Sequence, residues 1–133
     1  MKVLIDTNVL LSAALNSSGT PFKAFVKAVS APKQGIICEQ NIVEIRRVFN
    51  RKFPDKVEAL NFFLATSLLT VRVVPTPDET YAVEEKVRDV ADRPILRAAI
   101  FADADVILTG DKDLLESCID RPLSLTPAQF IEK

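Results

Sequence analysis

Four acids in this sequence stand where chemistry can use them. Asp6 ends the apolar run Lys2 to Asp6, KVLID, and Asp111 follows the apolar run Val106 to Thr109 through Gly110. Asp92 opens a short apolar stretch that leads into that second run, and Glu44 lies six residues after the apolar segment Gly35 to Cys38. Two carboxylates about 5 Å apart repel by roughly 3 kcal/mol at an effective dielectric of 20, so a cluster of four needs a cation or protons to offset it. The chain contains no histidine. That excludes Ser-His-Asp and Cys-His catalysis and His-ligated zinc, and it leaves all-oxygen ligation, which suits Mg²⁺ or Mn²⁺. Such an ion can lower the pKa of a bound water for attack on phosphorus and neutralise charge in the transition state, so metal-assisted attack of water on phosphorus is the chemistry these residues suit.

The elements that must position these acids are short strands alternating with helices. KVLID reads as a strand that turns at once into the helix TNVLLSAAL. Asn16 to Gly19 breaks that helix, and Thr20-Pro21 restarts one as cap and first-turn proline, with Phe22, Phe25, Val26 and Val29 as its apolar stripe. Gly35 to Cys38 is a strand, followed by a helix over 39–52 with Ile42, Ile45 and Phe49 inward. Pro54-Asp55 opens another helix, Val71 to Val74 is a strand, and Tyr81 to Val90 reads as a weaker helix. Ile95 to Ala102 is apolar nearly all round and should be buried; Val106 to Thr109 and Leu123 to Leu125 are strands, and Thr126-Pro127 caps a terminal helix. The alternation predicts an α/β fold with a mainly parallel sheet, whose functional crevice lies at the carboxyl ends of the strands. By helical phase Glu44 falls about 100° from the core direction, at the border of the buried face, where a cleft ligand belongs.

Taken singly, the other acids have plainer explanations, Asp92 as a helix cap, Glu44 as half of a surface pair with Arg47, Asp111 and Asp113 as turn acids, whereas Asp6, a charge where a buried strand meets a helix, favours function by itself. Their joint placement favours a site. Arg46, Arg47, Arg51, Lys52 and Lys56 form a basic stretch just after Glu44, and Arg47 and Arg51 share the border on which Glu44 lies, a disposition suited to a phosphate backbone as well as to a solvated face. The charge is uneven along the chain, nine Lys/Arg against five Asp/Glu in residues 1–66 and eight against thirteen thereafter, for a net −1.

At 133 residues and 48% apolar composition the chain suits one domain with a single core. Cys38 and Cys118 lie far apart, which indicates neither a disulfide framework nor a zinc site; Cys38 reads as a buried strand residue. Asp6 and Asn8 interrupt the only leader-like stretch, and no other apolar run approaches membrane-spanning length, so a cytoplasmic protein without membrane attachment is expected.

The blocks VLIDTNVLLSAAL, EQNIVEIRRVF, RDVADRPILRAAIFADADVILTGDKDLL and LTPAQFI, in this order over essentially the whole chain, resemble the PIN-domain family, in particular the toxin components of toxin-antitoxin systems related to VapC. The resemblance implies a three-layer α/β/α sandwich, divalent-metal-dependent hydrolysis of phosphodiester bonds and single-stranded RNA as substrate, with an antitoxin protein and a second copy of the chain as partners. It assigns the metal-binding and catalytic acids to Asp6, Glu44, Asp92 and Asp111, lets Asp113 help through water, and makes Asn8 and Thr109 orienting groups. Where relatives often read Asp-Pro-Asp-Asp-Asn-Pro, this chain has Asp89-Val90-Ala91-Asp92-Arg93-Pro94, so a flanking acid is missing, Arg93 is added and an altered metal affinity is implied. Two other readings stay open: a non-catalytic PIN-like RNA-binding module, and an aspartyl-phosphate phosphatase with Asp6 as nucleophile, although its usual second aspartate is here Asn8. The helix after Pro54 carries one more expectation. With Leu64 taken inward, Phe62 points about 160° away, so a large apolar side is exposed or covered by a partner.

Overall fold

The computed structural model describes residues 1–133. Five parallel strands form one sheet: β1 (Lys2–Ile5), β2 (Gln34–Cys38), β3 (Val71–Val74), β4 (Val106–Leu108) and β5 (Leu123–Leu125), in the order β3-β2-β1-β4-β5. The helices are α1 (Thr7–Leu15), α2 (Thr20–Val29), α3 (Glu39–Lys52), α4 (Val57–Ser67), α5 (Arg93–Phe101), α6 (Lys112–Leu115) and α7 (Pro127–Ile131).

Period-two alternation sorts the strand residues into two cores. Val3 and Ile5 of β1, with Ile37, Val106 and Leu108, face the layer that contains Leu10, Phe25, Ile45, Phe49, Leu64 and Phe130. Leu4, Ile36 and Ile107 face the opposite way, onto Leu96, Ala98, Ala99 and Leu114. Strands buried on both sides read as continuous apolar runs, as VLI and VIL do here, and the result is the α/β/α sandwich expected. From β1 the sheet grows first through β2 to β3 and then, on the other edge, through β4 to β5. The boundary between β1 and β4 is therefore a topological switch point, where a parallel sheet opens a crevice. No helix is long and apolar enough to cross a membrane.

Several local expectations need correction. Gly19, not Thr20, is the cap of α2, and Thr20 lies inside the helix. Its buried stripe is Ala24, Phe25 and Ala28, because small residues let α2 approach its neighbours closely, while Val26 is 43% exposed. Pro54–Lys56 is a 3₁₀ turn that precedes α4 rather than its first turn. The helix expected over Tyr81 to Val90 is two 3₁₀ turns, Ala82–Lys86 and Val90–Asp92. Glu84 turns inward to accept the Tyr81 N–H and bind Arg97, and Val87 enters the core, so the segment follows these anchors rather than a helical period. Helix α5 begins at Arg93 and leaves Phe101 half exposed, so its apolar surround is not wholly buried.

Candidate active site

Asp6 is the residue at which β1 becomes α1. Its Oδ1 accepts the N–H of Thr7 at 2.7 Å and so caps the helix, and its Oδ2 accepts from Thr109 Oγ1 at 2.7 Å. Thr109 stands at the end of β4, the strand hydrogen-bonded beside β1, and is fully buried. Its hydroxyl also accepts the N–H of Asp111 at 3.0 Å, which ties the two strand-end acids through one oxygen. Asp111 in turn caps α6 by accepting the N–H of Asp113, and Asn8 Oδ1 accepts the N–H of Gly110 at 3.3 Å.

These residues open onto a cleft of about 330 Å³ whose lining includes Asp6, Glu44, Asp92 and Asp111 together with Asn8 and Arg47. Glu44 comes from α3 on one side of the sheet and Asp92 from the start of α5 on the other. Four elements thus deliver one acid each to the switch point. Burial raises the pKa of Asp6 above the ordinary carboxyl value against the pull of its bonds from Thr109 and Thr7, and the charges of Asp111 and Glu44 push the same way as burial. Burial first, then the adjoining Asp111 carboxylate and the charges of Asp89 and Asp6, push Asp92 up to about 7.

Three polar oxygens in the cleft lining, Thr7 Oγ1, Asn41 Oδ1 and Asp92 Oδ2, are buried without a hydrogen-bond partner. Unpaired buried oxygens are costly, and here they gather beside carboxyls whose pKa is raised, an arrangement that a cation with its waters would relieve. The donor set is all oxygen, and the acids are held by caps and strand ends, so the residues present fit a hard divalent ion.

Not every expected residue reaches the cleft. Asp113 does not line it; its Oδ1 accepts from Nε and Nη2 of Arg88, though one of its oxygens lies within 4.8 Å of one from Asp89 and one from Asp92. Arg51, one turn beyond Arg47 and exposed, lies outside the lining, because a full helical turn carries it away from the sheet edge. Arg93, the apparent departure from the family pattern, is turned from the acids: its Nε donates to Val87 O at 3.0 Å. Sequence reasoning passed over Thr7, Gln40, Asn41 and the cluster member Asp89. Asn41 did carry a signal, since it stands four and eight residues before Ile45 and Phe49 on the buried stripe of α3; its Nδ2 donates to Ile5 O at 3.0 Å and joins α3 to the end of β1.

Architecture and cleft define a PIN-like α/β/α protein with an acid-lined switch point. The PIN-domain family model matches residues 2–113, and the chain belongs to that family. An uncharacterized protein of Methanocaldococcus jannaschii, MJ1680, is 30% identical over 148 aligned residues, which span 100% of this chain and 91% of its own length. Among solved structures, VapBC2 from Rickettsia felis, bound to a DNA fragment from its promoter, matches with a TM-score of 0.70 at 12% identity, covering 95% of this chain and 98% of that one. VapC20 of Mycobacterium tuberculosis, a sarcin-ricin loop cleaving toxin, matches with a TM-score of 0.59 at 16% identity, covering 84% and 91%. At these identities the structural likeness bears on the fold, which is that of VapC proteins.

Proposed function

We propose that this chain is a divalent-metal-dependent ribonuclease, the toxin of a toxin-antitoxin pair, that hydrolyses phosphodiester bonds of single-stranded RNA. The observation that carries the reading is the convergence of Asp6, Glu44, Asp92 and Asp111 on one cleft at the switch point, beside buried oxygens that lack partners. PIN-domain membership and a VapC-like fold support the nuclease class, and the toxin role rests on that likeness.

Asp6, Glu44, Asp92 and Asp111 would hold Mg²⁺ or Mn²⁺, with Asp113 close by. The ion would activate a water for attack on phosphorus and neutralise charge on the phosphoryl oxygens. Thr109 and the Thr7 N–H keep both oxygens of Asp6 fixed, so the carboxylate does not reorganise when substrate arrives. Asp92, whose carboxyl is pushed up to about 7, would release its proton on holding a cation. Arg47, on the α3 wall, binds substrate phosphate.

A second surface supports the partner side of the reading. Phe62 is 76% exposed and, with Phe22, Phe25, Val26 and Phe63, borders a groove of about 460 Å³ between α1, α2 and α4. A second copy of the chain, as a two-fold dimer, or an antitoxin segment would cover it.

Cleavage of a mixed RNA pool with Mn²⁺, compared with EDTA and with Asp6→Asn, tests the reading. Loss of cleavage in both controls is expected. RNA binding without cleavage in the wild type would favour a non-catalytic module, and hydrolysis of a phosphomonoester instead of RNA would favour the phosphatase. The genes flanking this one test the toxin role.

A further inference from the structure

Between β3 and α5 the chain forms a strap, residues 75–92, tied down along α5. Arg97 Nε and Nη2 donate to both carboxylate oxygens of Glu84 at 2.9–3.3 Å, and its Nη1 donates to Pro77 O at 3.2 Å. One turn earlier on α5, Arg93 Nε holds Val87 O, and the Val87 side chain is fully buried. Just beyond, Asp89 Oδ1 accepts the N–H of Ala91 at 2.9 Å and caps the turn that delivers Asp92. Arg88 sits between these two fixed points, so its backbone is set, yet its side chain is 78% exposed.

The Arg88 guanidinium reaches the acids. It places Nε and Nη2 on one oxygen of Asp113, and Asp113 lies with Asp89 and Asp92 in a group whose oxygens are within 4.8 Å of one another. Among the ion pairs of the protein this is the one that joins a cation to an acid of that group. An arginine built as a brace places its fork on both carboxylate oxygens, as Arg97 does on Glu84. Arg88 instead doubles up on a single oxygen, leaves Nη1 uncommitted and keeps its planar face in solvent, and an exposed pair of this kind adds little to stability.

We infer that Arg88 is a phosphate-binding residue for the RNA strand, taking a phosphate on the α5 side of the acids while Arg47 takes one on the α3 side. This deepens the nuclease reading and rests on it. The planar guanidinium matches phosphate geometry, and the exchange of Asp113 for a phosphate leaves its charge partnered throughout. The strand then crosses the acids between two arginines carried on opposite faces of the sheet.

The test is binding of a single-stranded RNA oligonucleotide to Asp6→Asn protein in Mg²⁺ over a range of salt, with Arg88→Ala, Arg88→Lys or Asp113→Asn added, and with circular dichroism melts to check each fold. Arg88→Ala should weaken binding about tenfold at low salt, as loss of a charge-assisted bond does. It should also remove about 0.7 from the log-log salt slope. Arg88→Lys should keep the slope and recover part of the affinity, and Asp113→Asn, which leaves the arginine and its charge in place, should keep the full salt slope. Weakening by Arg88→Ala with the salt slope unchanged would show a brace and overturn the inference, as would an Arg88→Ala protein with unchanged affinity and slope. If the Asp6→Asn parent binds no RNA at any salt, the nuclease reading fails and the inference falls with it.

Discussion

Thr109 and Asp6 meet across the seam between β4 and β1, the Thr109 hydroxyl donating to Asp6 Oδ2 at 2.7 Å while accepting the N–H of Asp111. One buried oxygen therefore fixes the relative position of two acids 105 residues apart in sequence. Thr109→Val removes that oxygen, keeps the shape and leaves Asp6 Oδ2 and the Asp111 N–H short of a partner. Loss of an outer-shell partner of this kind costs about 10–100-fold in metal affinity or activity. Thr109→Ser should retain most of it. Single-turnover cleavage of RNA with metal titrated in each variant is the check, and equal activity in the valine variant would remove Thr109 from the site.

Asp6→Asn or Asp111→Asn should abolish cleavage, by more than about 100-fold, the upper end of what outer-shell changes cost. In EDTA each should melt at the same temperature as the wild type or higher, because carboxylate repulsion is relieved. Wild-type cleavage by purified Asp6→Asn protein would sink the site.

The pH dependence follows from two upward shifts. Asp6 and Asp92 hold protons in the folded metal-free protein at pH values where the unfolded chain has released them. The stability these protons contribute is fully present below the ordinary carboxyl value of 3.8 and is lost as pH rises above it, for Asp92 through about 7, at no more than about 1.4 kcal/mol per pH unit for each group and less for the partly exposed Asp92. Glu84 and Asp105 shift the other way, Glu84 held down against burial by Arg97 and the Tyr81 N–H and Asp105 by the Lys2 N–H and Arg121, so the stability they contribute is lost on acidification instead. Urea melts in EDTA should therefore weaken between pH 5 and 8, and saturating Mg²⁺ should reverse the trend, since the cation competes with these protons. A metal-free protein that gains stability over that range would contradict the assignment.

Arg47 and Arg51 share a helix border but not a cleft. Arg47→Ala should weaken RNA binding and flatten its salt dependence, whereas Arg51→Ala should do so much less, because only Arg47 lines the acids. Filter binding across a salt series separates them, and equal effects would move the strand's path along α3.

Phe62→Ser should leave the fold unchanged, since this ring is 76% exposed and lies outside the buried set. If a second copy covers the groove, sedimentation equilibrium at micromolar concentration should show a dimer for the wild type and a shift towards 14.7 kDa for the variant. A wild-type mass fixed at that value as concentration rises would leave the groove to a different protein.

Asp6 and Glu44 were legible because each depends on a single period: a strand that runs out at an acid, and a helix whose phase puts Glu44 at the core border. The strap was not, because Pro77 and Glu84 are joined to Arg97, and Val87 to Arg93, by contacts 6 to 20 residues apart that no local repeat encodes. Asn41 was overlooked for a related reason. It lies on the apolar stripe of α3, and a polar residue there is explained only by Ile5 O, which a different element supplies. The exposure of Phe62 was readable from phase alone.

Asp6 and Asp111 each use one oxygen to cap a helix, a duty that asparagine also performs. The architecture of the cleft is thus insulated from the charge that would make it a catalyst. Along a lineage released from selection for cleavage, an aspartate-to-asparagine change at either position would pass at little structural expense, so activity should decay well before the fold does, and chains of nearly identical shape should include both active and silent members.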